Sequence, residues 1–235
     1  MDKSYKTSRV LGVAFLLDFA TSFFNLTFVR PALIVPGNIS DSMTNIADHS
    51  LLMRGYILLD MLLVLAIIFL GASLFLALRK HNEIAALVAF GLFQIEAALL
   101  AVSRIDAFSL LRMSQEYVTS GRPADLLRTG NLAVESMDFG GMTLHMLAFC
   151  LGAIIFNYLM YTSRIVPRAL SLWGLVAIVP CLIATLIVLS GHDVPFFLYV
   201  SYVPFEPAVG VWILIKGTNT VSEVKQRFVS TGEMR

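Results

Sequence analysis

The sequence predicts an all-α polytopic membrane protein, a bundle of six transmembrane helices, and three observations carry that prediction. The 235 residues are 57% hydrophobic and 14% charged, with a mean hydropathy of +0.79, whereas soluble domains carry about 25% charged residues. Apolar runs of spanning length recur at Val10–Val29, Gly55–Leu78, Ile84–Ser103, Phe139–Tyr161, Ala169–Leu189 and Phe196–Ile215, each close to the ~20 residues needed to cross a hydrocarbon core. Most connections between them are short, so consecutive spans are expected as antiparallel neighbours. Residues 1–235 then form one integral membrane domain, with outer loops at 30–54 and 104–138.

The first span is too long for the apolar core of a signal peptide, lacks a small-residue cleavage site and contains Asp18, so it is read as retained. Asp18, Thr21, Ser22 and Asn25 recur at offsets of three, four and seven and form a polar stripe. Those hydroxyl and amide neighbours are expected to satisfy Asp18, which gives it a structural role. Residues 31–53 open with the turn PALIVPG and pass through Ser40-Asp41 into a short helix that feeds the second span.

Arg54 and Asp60 sit at the start of the second span. In the third, Ala85, Ala89, Ala97 and Ala101 make a small-residue seam beside Glu96, suited to close helix approach. The segment 124–134 has apolar positions that fit an interfacial helix or lid, or else a solvated connector. Asp138 and His145, seven apart, are expected on one face of the fourth span. The sixth span is interrupted by Pro204-Phe205-Glu206-Pro207. Its prolines remove two donors and are expected to free the carbonyls of Val200 and Val203. An ionised carboxylate at this depth costs about 2.5–3.5 kcal/mol or more, so Glu206 is expected to face the bundle. Beyond Gly217, Val221, Val224 and Phe228 share a face that can pack beneath it.

Positive charge sets the expected orientation. Eleven of 17 basic residues, including all five lysines, fall on the side of the termini, which the positive-inside rule makes cytoplasmic. Lipid is expected as the immediate partner, with a homodimer or a second membrane protein as a further one. A net charge of +1 gives no electrostatic case for nucleic acid.

Intramembrane polarity gathers in the middle and outer half. Asp18, Glu96 and Glu206 lie near the centres of their spans, Asp60 and His145 about two turns from the outer ends, and Arg54 above. The inner half reads as dry. Four acids against one histidine cannot all be ionised without partners, so either some carry a proton or a cation or amine resides among them. Cys150 and Cys181 lie in apolar segments and read as packed thiols. No HExxH, HxxxH or CxxC spacing is present, so no metal site is expected. No cofactor is named by any motif.

Several stretches together carry a resemblance: Arg30-Pro31 followed by LIVPG (33–37), Arg54 with Asp60, EAALLA (96–101), LHMLAF (144–149), SRIVPRALSLWGLV (163–176) and EPAVGVWILIKG (206–217). The set resembles the bacterial membrane-protein family catalogued as domain of unknown function 4386. The resemblance implies a multispan plasma-membrane protein in which Arg54, Glu96, His145 and Glu206 fall at recurring polar positions, and it implies no reaction. Asp18 departs from the apolar residue expected there.

The functional reading is an outward-facing polar cavity that binds or moves a small molecule, cation or proton. Its candidate residues are Glu206, Glu96, His145, Asp60 and Arg54, with Arg54 and Asp60 as a gate-side ion pair. The alternatives are an interaction or sensor subunit with structural polar groups, and a lipid-acting membrane enzyme, the reading leaning away from an enzyme.

Overall fold

In the computed structural model, which describes residues 3–195 and 197–218, the described chain is helical and contains no strand. Six stretches are long and apolar enough to cross a membrane: Arg9–Leu33, Ser50–Leu78, Glu83–Thr119, Ala124–Ser163, Arg168–Leu189 and Phe197–Lys216. The first comprises α1 (Lys3–Phe24), a π-helical turn (Asn25–Val29) and α2 (Arg30–Leu33). Then come α3 (Ile39–Asp48), α4 (Ser50–Leu78) and α5 (Glu83–Thr119). The fourth span joins α6 (Ala124–Asp138) through a second π-helical segment (Phe139–Leu144) to α7 (His145–Ser163). α8 (Arg168–Leu189), α9 (Phe197–Val200) and α10 (Phe205–Lys216) complete the chain.

The spans pack in chain order as a ring. α1 packs on α4, α4 on α5, α5 on α7, α7 on α8, and α10 closes the circle chiefly through α1. The third and sixth spans, expected to pack together with Glu96 and Glu206 inward, therefore stand across the ring from each other. The alanine seam of α5 serves α7 instead. A Cβ placed on Gly152 of α7 would lie 2.7 Å from the Phe93 ring and 3.3 Å from the Ala89 carbonyl, so glycine here permits close approach of α7 to α5. At the α1/α10 crossing a Cβ on Gly12 would lie 2.9 Å from the Gly210 carbonyl oxygen. Outward-facing Leu58, Leu62 and Leu65 are exposed along one face of α4, as expected of a helix surrounded by lipid.

The connection expected as an outer loop at 104–138 is largely helical. α5 runs on to Thr119 and α6 already belongs to the fourth span. The 37 residues of α5 reach about 55 Å, well beyond a ~30 Å core, so a helical hairpin stands out of the bundle. Its tip turns through Gly121 (φ 81°) and Arg122 (φ 63°), closed by Arg122 N–H donating to the Tyr117 carbonyl at 2.8 Å. α3 lies against this hairpin and is capped by Asn38, whose side-chain oxygen accepts from Asp41 N–H at 3.1 Å, just ahead of the expected Ser40-Asp41 start. Leu33, Met43, Ile46, Leu110, Leu111 and Met137 form a second apolar core at this capped end, separate from the core of the ring. The positions expected for Val221, Val224 and Phe228 lie outside the described residues.

The interrupted sixth span is two helix ends rather than one kinked helix. Pro204 is the N-cap of α10 and Pro207 falls in its first turn, where a missing N–H costs nothing because those donors have no intrahelical partner. The Val200 carbonyl is not left free as expected, because it accepts from Val203 N–H at 3.2 Å. The fifth span supports the break. Ser201 Oγ lies 2.9 Å from the Ala177 carbonyl, one turn from Pro180 inside α8, and Cys181 Sγ lies 3.6 Å from the carbonyls of Leu198 and Tyr199. Backbone polarity at membrane depth is thus met by protein rather than lipid.

Candidate functional site

The ring places three carboxyl groups from three spans within electrostatic reach of one another. They are Asp18 on α1, Glu96 on α5 and Glu206 in the first turn of α10. The glycine crossing sets two of them. Asp18 lies six residues beyond Gly12 and Glu206 four before Gly210, about 9 and 6 Å along antiparallel axes toward the capped end. Glu96 is placed by its own helix, between buried Phe93 and Ala97. Asp18 and Glu96 are 7% and 5% exposed, and Glu206 is half-buried. Glu206 also benefits from the helix terminus it occupies, since a negative group in a first turn faces the positive end of the peptide dipoles.

His145 of α7 joins them, with Nδ1 4.0 Å from Glu96 Oε1. Asp18 Oδ1, Glu96 Oε2 and His145 Nδ1 are all buried without a hydrogen-bond partner. That overturns the expectation for Asp18. Its stripe does not satisfy it, because Thr21 donates to the Leu17 carbonyl at 2.7 Å and Ser22 to the Phe19 carbonyl at 3.1 Å. Among the described residues no group of three His, Cys, Asp or Glu side chains is spaced to hold a metal ion.

Asp60 belongs to a second cluster, nearer the capped end. Its expected pairing with Arg54 is not formed. Arg54 is exposed, and Asp60 accepts instead from Arg104 Nη1 and from Asn25 Nδ2. Arg104 Nη1 also donates to Tyr56 Oη at 2.6 Å, and its Nη2 to Ser103 Oγ at 2.8 Å. A guanidinium buried among five-donor geometry of this kind is tolerable only because each arm finds an acceptor. Space for it comes from the fourth span, where a Cβ on Gly141 would run into Arg104 Nη2 and lie 2.6 Å from Ser103 Oγ. Both π-helical segments touch this network, one through Asn25 and the other through Gly141. The inserted residue also separates Asp138 from His145 in purpose, since Asp138 pairs with Arg30 at 2.9 Å while His145 faces Glu96.

Of the five candidates, Glu96, Glu206 and His145 come together, Asp60 stands apart with Arg104, and Arg54 joins neither group. Arg104 and Asn25 escaped the sequence reading as a pair. Ending the third span at Ser103 put Arg104 at a loop mouth, whereas a helix continuing to Thr119 makes it a buried side chain. Asn157, in the half expected to be dry, is also buried, donating to the Ala153 carbonyl at 2.8 Å.

Residues 10–217 match the family described as Domain of unknown function (DUF4386). No curated protein and no solved structure matches the chain.

Proposed function

The chain belongs to the DUF4386 family, and we propose that it is a multispan membrane protein that binds, and moves, a small cationic species at the Asp18–Glu96–Glu206 cluster. The observation that carries this is three carboxyl groups within electrostatic reach of one another, two of them with a buried oxygen that no donor meets. Arg104, which lies within electrostatic reach of His145, is taken up by Asp60. An ion taken out of water without a partner costs several kcal/mol, so the cluster requires neutralising charge. A proton, an inorganic monovalent cation or a protonated amine each supplies it. The interrupted sixth span supports the same reading, because helices broken near mid-membrane build the binding sites of many transporters. The basic-residue asymmetry supports cytoplasmic termini, with the capped end outside.

The test is proton and cation binding by the protein in lipid nanodiscs. Addition of sodium, potassium or ammonium ions to unbuffered protein should release protons, and the triple variant Asp18→Asn, Glu96→Gln, Glu206→Gln should release none. Equal release, or none, from both proteins would overturn the reading.

A further inference from the structure

We infer that the species bound at the cluster is a protonated organic amine with an apolar or aromatic body, an inference that rests on the cation-site reading above. Beside the carboxyl groups lies a continuous set of aromatic rings. Phe93 is three residues from Glu96 and Phe149 four from His145, so each ring shares a helix face with its polar neighbour. Phe93 and Phe149 have centroids 6.1 Å apart, Phe149 and Tyr202 meet edge-on at 5.3 Å, and Tyr202 and Phe205 lie at 5.0 Å. Tyr202 stands within electrostatic reach of both Glu206 and Asp18. The rings therefore run from the third span, through the fourth, to the interruption of the sixth, along the same elements that hold the acids.

The polar atoms specify the other end of the ligand. Asp18 Oδ1 and Glu96 Oε2 are acceptors buried without a donor, and their side chains are more than nine-tenths buried. An ammonium carrying N–H groups satisfies such oxygens, and a quaternary ammonium without them does not. A divalent metal ion is usually held by several side-chain ligands converging at coordination distance, and the described His, Cys, Asp and Glu side chains form no such group of three. Aromatic faces attract an ammonium through their quadrupoles and accept its apolar body by contact. Acid and aromatic side chains together fit one ligand with two ends.

The probe is 2-phenylethylamine, titrated against full-length protein in nanodiscs, with empty nanodiscs subtracted for partition into lipid. Saturable binding is expected, with no competition from 2-phenylethanol, which has the body without the charge. Asp18→Asn and Glu96→Gln should each abolish it. Phe149→Leu and Tyr202→Leu should weaken 2-phenylethylamine by roughly threefold or more, and by more than they weaken ammonium, which has no apolar body to lose contact. Should Glu96→Gln fail to fold, Asp18→Asn and the two aromatic variants carry the test alone. Ammonium binding as tight as that of 2-phenylethylamine, insensitivity to both leucine variants, or equal binding of 2-phenylethanol would overturn the inference and leave the cation site standing. Absence of both amine binding and proton release would remove the cation site itself.

Discussion

Asp60 and Arg104 form an ion pair inside the bundle, with side chains only 7% and 4% exposed. Removing one partner strands the other, at a cost of about 3–5 kcal/mol, while replacing both by apolar side chains of similar volume is often neutral. Arg104→Met and Asp60→Leu should each destabilise the protein by that amount, and the double variant should recover most of the loss. Unfolding in graded denaturing detergent measures all four corners of the cycle, and additive losses would show that the pair is not a unit.

Gly141 is the residue that makes room for this guanidinium. An added methyl group meets Arg104 Nη2 and Ser103 Oγ, and overpacking of a tight site costs about 1–3 kcal/mol. Gly141→Ala should therefore lower stability by that amount. Gly55→Ala, where a Cβ meets nothing within 4 Å, should not. Equal effects at the two glycines would mean that helix propensity, not the guanidinium, sets the response.

The α1/α10 crossing carries a comparable dependence. Gly210→Val places a branched side chain where a Cβ already lies 3.0 Å from Leu16 and 3.1 Å from Phe15. The helices must part, taking Asp18 away from Glu206. Loss of ammonium-dependent proton release in a variant that remains monodisperse is the expected result, and unchanged release would show that the two carboxyl groups act independently.

Class and span number were legible because a bilayer makes a blunt demand: about 20 apolar residues per crossing. The helix ends at the capped side were not. From Arg104 to Thr119 the hydropathy falls while α5 continues, since a helix needs only buried contacts on one side, and α3 and α6 supply them. The π-helical segments left no signal either, although they decide which residues of the first and fourth spans face inward. Partner choice was the hardest part. Arg54 and Arg104 look equivalent beside Asp60 in one dimension, and only the packing of α4 on α5 separates them. At the sixth span the sequence signal was strong but misread in part, because Pro-Phe-Glu-Pro marks the start of a helix as readily as a break within one.

Orientation has its own test. The hairpin tip at Arg122 and the turn at Lys80 lie at opposite ends of α5, and the native thiols Cys150 and Cys181 are both buried. In intact cells a membrane-impermeant maleimide should label Arg122→Cys and spare Lys80→Cys. The reverse pattern would invert the assignment drawn from the basic residues.

The last expectation concerns the charge on the cluster. Asp18, Glu96 and Glu206, within electrostatic reach of one another, cannot all be ionised at this depth without a cation, so at pH 7 and in its absence at least one should hold a proton. Glu206 is the informative position, because its place in the first turn of α10 leaves it half-buried and within electrostatic reach of Asp18. Glu206→Gln keeps the shape and can still donate a hydrogen bond, so the fold should persist while proton release on cation addition falls. Glu206→Ala removes the side chain and its packing as well, and should destabilise by about 0.5–3 kcal/mol. Infrared difference spectra read the carboxyl proton directly. Cation addition should remove a protonated-carboxyl band from the wild type, and a smaller band or none should be lost from Glu206→Gln. If the glutamine variant unfolds as readily as the alanine variant, or the band is lost undiminished in it, Glu206 is not part of the titrating group, and the cluster reduces to Asp18 and Glu96 with His145 beside them.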